Sequence, residues 1–227
     1  MINLKPNYID FKKEINEREI EDIIHFTPVI NLLSMFEQEK ILSRALLEQY
    51  DVYQTDILDF IEFTDEIRFD DKNYINTSIS HPNSYLLKKF REKTADEPHI
   101  YWCILKINPK FIYKDSTLFS VTNAANSYNK NITKVTGDID KFRMLFDNEI
   151  KVVTSYNSRI IIRDKLKNKY PTDEQAEVLI ANEIPISDII EVCFENEEDM
   201  ASAKAALAEF NTDNFKVDNL LFSNNRN

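Results

Sequence analysis

The sequence predicts an α+β fold, for two reasons. Short runs of β-type residues outnumber long helical runs, and the two kinds do not alternate regularly along the chain as a doubly wound parallel sheet requires. With 227 residues, of which 43% are hydrophobic, the chain can also bury a full core. We predict a single domain over residues 1–210 and a loosely held C-terminal tail over residues 211–227.

The first part of the chain predicts two helices on either side of a strand. Residues 9–24 place isoleucines on one face of a charged amphipathic helix, and residues 24–26 are typical of a short strand. Thr27 and Pro28 indicate a helix start, with Thr27 as N-cap and Pro28 at the first helical position. This helix extends to about Glu39. The acidic segment 48–71 has mixed signals and suits a lid, a partner-binding face or a solubilising surface.

The middle of the chain alternates between strands and short helices. Residues 74–80 alternate apolar and polar side chains as a half-buried strand does, and a helix follows from about Asn83 to Lys93. Residues 100–107 form the clearest buried strand, which ends at Asn108-Pro109. A short strand at 118–121 then leads into a turn or short helix at 123–127.

The last part predicts the remaining strands and two helices. Gly137-Asp138 caps a helix that continues to Phe146, and a longer alanine-rich helix follows from Asn196 to Phe210. Between these helices lie the β-type runs 152–153, 159–162, 178–180 and 189–194.

Charge is strongly segregated along the chain. The total is −11, but residues 71–170 carry 18 lysines and arginines against 10 aspartates and glutamates, a net charge of +8. The flanking segments 1–70 and 171–227 carry −9 and −10. An acidic protein can therefore still present a cationic groove to nucleic acid, although a solvated lysine-rich surface explains the same numbers.

Composition excludes several classes of site. Gly137 is the only glycine, so the chain has no glycine-rich phosphate loop, dinucleotide fingerprint or nucleophile elbow. The three histidines and two cysteines show no zinc-ligand spacing, and we predict no metal site. Cys103 and Cys193 lie in apolar runs and are predicted to be buried thiols. Without a leader or a long apolar run, the protein is predicted to be soluble and cytoplasmic, with no membrane partner.

The most informative segment extends from Pro171 to Ile180. A polar, turn-prone stretch meets an apolar β-type run, and Glu177 lies at the junction. A side chain at the end of a strand is held in one orientation beside the preceding loop, which is where an enzyme needs a carboxylate that must meet one atom of a substrate.

Several segments together resemble the DarT family, toxins of bacterial toxin–antitoxin and phage-defence systems that ADP-ribosylate bases of single-stranded DNA. The resemblance covers about residues 23–195 and is carried by their order: His25 with Asn31, Arg44, Ser80-His81-Pro82-Asn83, Thr122-Asn123-Ala124-Ala125, and Pro171 through Leu179 with Ile184-Pro185. It implies an ADP-ribosyltransferase-like fold with a split, mostly antiparallel central sheet flanked by helices. It also implies NAD⁺ as co-substrate, no metal, and a DarG-like macrodomain antitoxin as partner.

The resemblance assigns roles to individual residues. Transfer of ADP-ribose develops positive charge on the anomeric carbon, as in glycosidases, and a carboxylate that bonds the neighbouring ribose hydroxyl stabilises it. Glu177 is predicted to be this group, with Arg44 as a second catalytic candidate that pairs with the pyrophosphate. The predicted NAD⁺ contacts are His25, Thr27, Asn31, Arg44, Tyr74 and Tyr85. Family members often carry an arginine beside an Asn-Pro segment that follows the second strand. In this chain the corresponding segment is Ser80-His81-Pro82-Asn83, and the nearest arginine is Arg91, on the following helix.

The segment before Glu177, from about 153 to 173, is where transferases of this type select their acceptor. Its cations and aromatics suit an unpaired strand, the cations for phosphates and the aromatics for stacked bases. The predicted nucleic-acid contacts are Tyr156, Arg159, Arg163, Lys165, Lys167 and Lys169. Asn123 is predicted to contact either a base edge or NAD⁺, and the sequence does not decide between them.

Three alternatives stay open at this point. The same chemistry can act on RNA or protein. The domain can be a non-catalytic binder of single strands, in which case Glu177→Gln leaves binding unchanged. A nuclease or phosphotransfer enzyme that uses acidic residues with Mg²⁺ is also compatible with the composition, and it would lose activity in EDTA.

Overall fold

The computed structural model describes residues 3–54, 71–97, 99–126, 128–131, 135–153 and 158–226. The helices are α1 Tyr8–Glu17, α2 Asn31–Glu37, α3 Arg44–Tyr50, α4 Ser84–Lys93, α5 Tyr128–Asn131, α6 Ile139–Met144 and α7 Glu197–Ala206. The strands are β1 Ile23–Pro28, β2 Lys40–Leu42, β3 Tyr74–Ile79, β4 Trp102–Ile107, β5 Leu118–Ser120, β6 Glu149–Val153, β7 Ser158–Ile162, β8 Glu177–Ala181, β9 Glu183–Pro185, β10 Ile189–Phe194 and β11 Phe215–Val217.

Within these residues the central sheet has seven strands in the order β11-β10-β4-β1-β3-β8-β5. Every pair of neighbours is antiparallel except β10 and β11, which are parallel. Two small antiparallel ribbons, β2 with β9 and β6 with β7, lie beside it. The predicted α+β fold with a mostly antiparallel sheet flanked by helices is therefore confirmed.

The sheet is split between β1 and β3. Along its whole length β1 pairs with β4, from Ile23 opposite Ile107 to Pro28 opposite Trp102. Its pairing with β3 is limited to two positions, Ile23 opposite Ile79 and Ile24 opposite Ser78. Beyond Ile24 the two strands diverge, and the polar backbone and side chains on both sides of the split face the space between them.

The predicted helix start at Thr27-Pro28 is wrong, because both residues belong to β1. The strand continues in register with β4, and the Val29 N–H still donates to the Tyr101 carbonyl at 2.8 Å. Proline, which has no N–H, is tolerated at a strand end. The Thr27 hydroxyl accepts from the Asn31 side chain at 3.1 Å instead of capping a backbone N–H, and α2 begins only at Asn31.

The prediction of a loosely held tail is also wrong for the C-terminal segment. β11 adds an edge strand to β10, with Phe215 opposite Val192, and Phe215 is buried. Leu221 packs into the smaller core, and Arg226 donates to the Pro171 carbonyl at 2.7 Å. Phe215 and Leu221 attach this short segment to the rest of the domain, although they form no periodic apolar pattern in the sequence.

Each face of the sheet is covered by apolar packing. On one face, Phe11 of α1 and Phe142 of α6 pack on Phe119 of β5, with ring centroids 5.2–5.8 Å apart. On the other, Leu87 and Phe90 of α4 form a second cluster with strand residues. Each fully buried phenylalanine contributes about 1.5–3 kcal/mol of hydrophobic free energy, which stabilises the packing of these helices on the sheet. Cys103 and Cys193 are free and buried, as predicted.

Candidate active site

A cavity of about 650 Å³ occupies the split in the sheet. β1 and β3 form its floor, and α3, residues 51–54 and the turn at 123–126 form its sides. This volume lies within the range of sites for small molecules and cofactors. The polar residues that line it include His25, Thr27, Asn31, Arg44, Tyr74, Asn76, Asn83, Asn123, Gln175 and Glu177.

Glu177 is the first residue of β8 and is held between two other elements. Its side chain is 5% exposed, and Oε2 accepts a hydrogen bond from the Ala124 N–H at 2.7 Å. A second hydrogen bond comes from the side chain of Asn76 on β3. The turn that presents Ala124 is closed by Asn123, whose Oδ1 accepts from the Ala125 N–H at 2.9 Å. The carboxylate is therefore fixed in one orientation at the cavity wall.

The surroundings of Glu177 disfavour its charge. Burial raises the pKa of its carboxyl group to about 7, and the hydrogen bonds from Ala124 and Asn76 only partly oppose this shift. The nearby Asp173 raises the pKa further by repulsion between like charges. Because the hydrogen-bond donors are neutral, the group is held close to the midpoint of its titration at neutral pH, which suits a residue that accepts a proton or strengthens its bonds as positive charge develops.

His25 spans the split from β1. Its Nδ1 lies 2.9 Å from the Asn76 carbonyl oxygen, and since a carbonyl only accepts, Nδ1 carries the proton. Burial lowers the pKa of His25, so the ring is neutral near pH 7 and Nε2 has a free lone pair. Asn76 thus bonds both candidate residues, His25 through its main chain and Glu177 through its side chain.

The other predicted NAD⁺ contacts line the same cavity, with one exception. Thr27 and Asn31 lie side by side, Arg44 is the first residue of α3, and Tyr74 is the first residue of β3. Tyr85 is the exception. It lies on the outer side of α4, 48% exposed, with the Lys89 ammonium 4.6 Å from its ring, and it is not part of the cavity lining.

The predicted nucleic-acid contacts are not grouped in the same way. The Arg159 guanidinium bonds the buried Asp173 at 2.8 Å and the Thr122 hydroxyl at 3.1 Å. Lys165 and Lys167 are exposed, and the Lys169 ammonium lies 5.6 Å from the Tyr170 ring. Apart from Asn123, none of the described members of this set lines the cavity. Tyr156 lies outside the described residues.

Arg163 is occupied by the loop that follows it. Its two terminal nitrogens donate to the main-chain oxygens of Lys167 at 2.9 Å, Asn168 at 3.2 Å and Tyr170, and to the Thr172 hydroxyl at 3.3 Å. Burial lowers its pKa. The carbonyls of an irregular segment need donors, and the planar fork of arginine supplies several at once. This placement argues against the predicted phosphate contact.

Several polar cavity residues have no role assigned from the sequence, among them Asn76, Asn83 and Gln175. Asn83 is 3% exposed, and its Oδ1 caps α4 by accepting from the Leu86 N–H at 3.0 Å. Its Nδ2 finds no hydrogen-bond partner among the described residues. Its helix-cap signal is visible in the sequence, but the burial of its unpartnered amide nitrogen depends on the placement of α4 beside the split.

Within the described residues, no group of three or more His, Cys, Asp and Glu side chains could hold a metal ion. Nor is any of the described helices both long enough and apolar enough to cross a bilayer.

A split, mostly antiparallel sheet, a cavity of about 650 Å³ at the split and a buried glutamate at a strand start are the features expected of an NAD⁺-dependent ADP-ribosyltransferase, and the family match gives this class. The particular family follows from the sequence comparison. The model of the DarT family, described as an ssDNA thymidine ADP-ribosyltransferase, matches residues 24–220, and the chain therefore belongs to this family. A comparison with curated proteins gives no match.

Solved structures share the fold at low sequence identity. Thermus sp. 2.9 DarT in complex with carba-NAD⁺ has a TM-score of 0.57 at 13% identity, over 90% of this chain and 99% of that one. The structure of the same protein in complex with ADP-ribosylated ssDNA has a TM-score of 0.56 at 12% identity, over 98% of this chain and 100% of that one. Thermosipho africanus DarTG in complex with ADP-ribose has a TM-score of 0.54 at 17% identity, over 89% of this chain and 51% of that one.

Proposed function

We propose that this chain transfers ADP-ribose from NAD⁺ to thymidine bases of single-stranded DNA, with Glu177 as the central catalytic residue. Family membership supports the reaction class and the thymidine acceptor. The observation that carries the role of Glu177 is its buried, doubly hydrogen-bonded position at a cavity large enough for NAD⁺.

The reaction balances without any further reactant. The bond between nicotinamide and ribose breaks and its electron pair leaves with nicotinamide, while a base atom attacks the anomeric carbon. Ionised Glu177 bonds the neighbouring ribose hydroxyl and stabilises the positive charge on the sugar. Thymine in DNA has one ring N–H, and its proton must be removed if that nitrogen attacks. A carboxylate with a pKa of about 7 is matched to that task at neutral pH.

The remaining cavity residues suit the rest of the dinucleotide. Neutral His25 has its Nε2 lone pair available to accept from the adenosine-side ribose. Thr27 and Asn31 provide polar groups for the nicotinamide and phosphate end, and Arg44 provides a positive charge for the pyrophosphate. Tyr74 forms one wall.

The acceptor is tested by mass spectrometry of oligonucleotides incubated with NAD⁺. We expect the mass gain of one ADP-ribosyl group on a thymidine-containing single strand, and little or none on a matched strand without thymidine, on the duplex or on RNA. Glu177→Gln is the control for catalysis. Modification of the thymidine-free strand would overturn the acceptor, and label confined to protein would overturn the DNA assignment altogether.

A neutralising partner follows from the activity. Modified template bases block replication, so a producing cell needs an enzyme that removes the modification, and the matched Thermosipho africanus chain is a DarTG. We infer a DarG-like macrodomain partner and, because both substrates are found there in bacteria, a cytoplasmic location. Co-expression with such a macrodomain should restore growth to cells that produce this chain, and its failure to do so would contradict the inference.

A further inference from the structure

Three segments meet beside Glu177, and Arg159 joins them. Its Nη2 lies 2.8 Å from Asp173 Oδ2 and 3.1 Å from Thr122 Oγ1. Arg159 comes from β7, in the ribbon that lies outside the central sheet. Thr122 begins the turn that donates a hydrogen bond to Glu177, and Asp173 begins the turn that leads into β8.

All three oxygens of Asp173 accept hydrogen bonds, and those to Gln175 and Ala176 fix the turn that precedes Glu177. Its Oδ1 accepts from the Gln175 N–H at 2.9 Å, and its carbonyl accepts from the Ala176 N–H at 3.1 Å. Its side chain is 2% exposed, and a carboxylate so deeply buried needs a counter-charge. Arg159 provides that charge, while Thr122, which is fully buried, completes the contact.

The orientation of β7 explains why Arg159 faces the protein. Side chains alternate along a strand, so Arg159 and Ile161 share one face while Ile160 and Ile162 share the other. Ile161 packs against the main core, whereas Ile160 and Ile162 are exposed. Arg159 therefore points inward, towards Asp173, although its own side chain remains 42% exposed at the edge of the ion pair.

We propose that Arg159 is a positioning residue for the transfer reaction, which acts through Asp173 and Thr122 to hold in place the two turns on either side of Glu177. This role replaces the phosphate contact that the sequence suggested for it, and it rests on the proposed role of Glu177. The ribbon β6–β7 is thereby connected to the catalytic carboxylate by two hydrogen-bonded steps.

The charges around Asp173 give the proposal a signature in pH dependence. Asp173 raises the pKa of Glu177, and it is itself faced by Arg159, Glu174 and Arg226. Removal of Arg159 leaves the charge of Asp173 less compensated, so the pH at which Glu177 ionises should rise. Removal of the Asp173 charge should lower it. Removal of a residue that only contacts DNA phosphate should leave the pH at which Glu177 ionises unchanged.

The experiment measures kcat, and KM for NAD⁺ and for a thymidine oligonucleotide, between pH 5 and 9 in the full chain. For Arg159→Met we expect kcat to fall about 10- to 100-fold, with KM values within about threefold and the acid limb of the rate profile displaced to higher pH. Arg159→Lys should return the acid limb towards the wild type but restore kcat only in part, since lysine lacks the fork. Asp173→Asn should displace the limb to lower pH.

Lys151→Met is the matched control, because Lys151 is an exposed cation on the same ribbon, opposite Ile160. It should leave kcat and the acid limb unchanged. If Arg159→Met instead raises KM for the oligonucleotide and flattens its salt dependence with an unchanged limb, Arg159 is a phosphate contact and the proposal is wrong.

Loss of folding in one variant does not hide the answer. Should Arg159→Met fail to fold, Asp173→Asn and Arg159→Lys still decide: an acid limb that is unchanged in Asp173→Asn, or a kcat equal to that of the wild type in Arg159→Lys, overturns the proposal. Failure of the underlying function is distinguishable, because it would appear as wild-type chain without transferase activity or as Glu177→Gln with full activity.

Discussion

The cavity wall and the cationic segment, residues 158–170, are both rich in polar groups but use them differently. In the wall, the His25 ring bonds the Asn76 carbonyl through Nδ1 and leaves the Nε2 lone pair, and the Asn83 Nδ2 has no partner among the described residues. In the cationic segment, the guanidinium groups of Arg159 and Arg163 are occupied by the protein itself. Net charge therefore overstates how many cations of such a segment can reach a ligand.

The difference has a structural cause. The wall strands β1 and β3 are held in place by their pairing with β4 and β8, so most of their side chains are not needed to fix an irregular main chain. The cationic segment continues after β7 into an irregular loop whose carbonyls need donors. Arginine supplies those donors well, and the exposed lysines keep their charges in solvent.

The largest expected effect is the loss of transfer activity when Glu177 in the cavity wall is replaced. Glu177→Gln keeps the shape and one hydrogen-bond acceptor but removes the charge that stabilises the sugar cation. We expect transfer to fall by about 10³-fold or more, measured as nicotinamide release in the presence of oligonucleotide. Circular dichroism should show an intact fold. A variant with more than a tenth of wild-type activity would contradict the assigned role.

On the other side, Arg163→Met should damage stability rather than binding. It removes four hydrogen bonds that hold the loop, two of them partly buried and two exposed, and we expect the free energy of unfolding to fall by about 1–3 kcal/mol in a urea titration. Lys165→Met, an exposed cation two residues away, should change it by less than about 0.5 kcal/mol. Equal stability of the two variants would contradict the distinction between cations that bond the protein's own main chain and cations that face solvent.

Glu177 should also reduce stability at high pH. Its pKa is raised in the folded state to about 7 from 4.5, so the folded state binds an extra proton between these values and loses stability as pH rises through the window. Glutamine does not titrate. Glu177→Gln should therefore gain on the order of 1–3 kcal/mol over the wild type at pH 8 relative to pH 4. A pH-independent difference would show that the carboxyl is not perturbed.

The smallest effect is expected for a single exposed lysine. Lys167→Met should weaken oligonucleotide binding only a few-fold and reduce the salt slope by at most about one, with no change in stability. Fluorescence anisotropy at several salt concentrations measures both quantities. An unchanged slope would mean that this lysine faces solvent in the complex as well.

Much of the fold could be predicted from local sequence. The alternation at 74–80 and the apolar run at 100–107 correspond to β3 and β4, and Asn83 and Asp138 do cap α4 and α6. Thr27-Pro28 was misassigned because the cap signal is local, whereas the pairing of Pro28 with Trp102 joins residues far apart in sequence. The same reason hid the anchors of the C-terminal segment, Phe215 and Leu221.

The sequence order of motifs singles out residues that the fold brings together. Glu177, His25 and Arg44 line one cavity, and their roles stay predictions. Asn76 and Asn83 are missed because their importance depends on tertiary contacts: Asn76 bonds groups on two strands, and Asn83 reaches the cavity lining only because α4 packs beside the split. Whether a given arginine faces DNA or its own loop likewise depends on the finished fold.

The parting of β1 from β3 ties the ligand to the architecture. Among the described residues, β1 from His25 to Pro28 pairs on one side only, with β4, and β3 from Tyr74 to Thr77 only with β8. A dinucleotide in this gap stands where a further run of inter-strand hydrogen bonds would otherwise join the two halves. Mutations that extend the pairing of β1 with β3 would strengthen the sheet and close the cavity that the substrate needs.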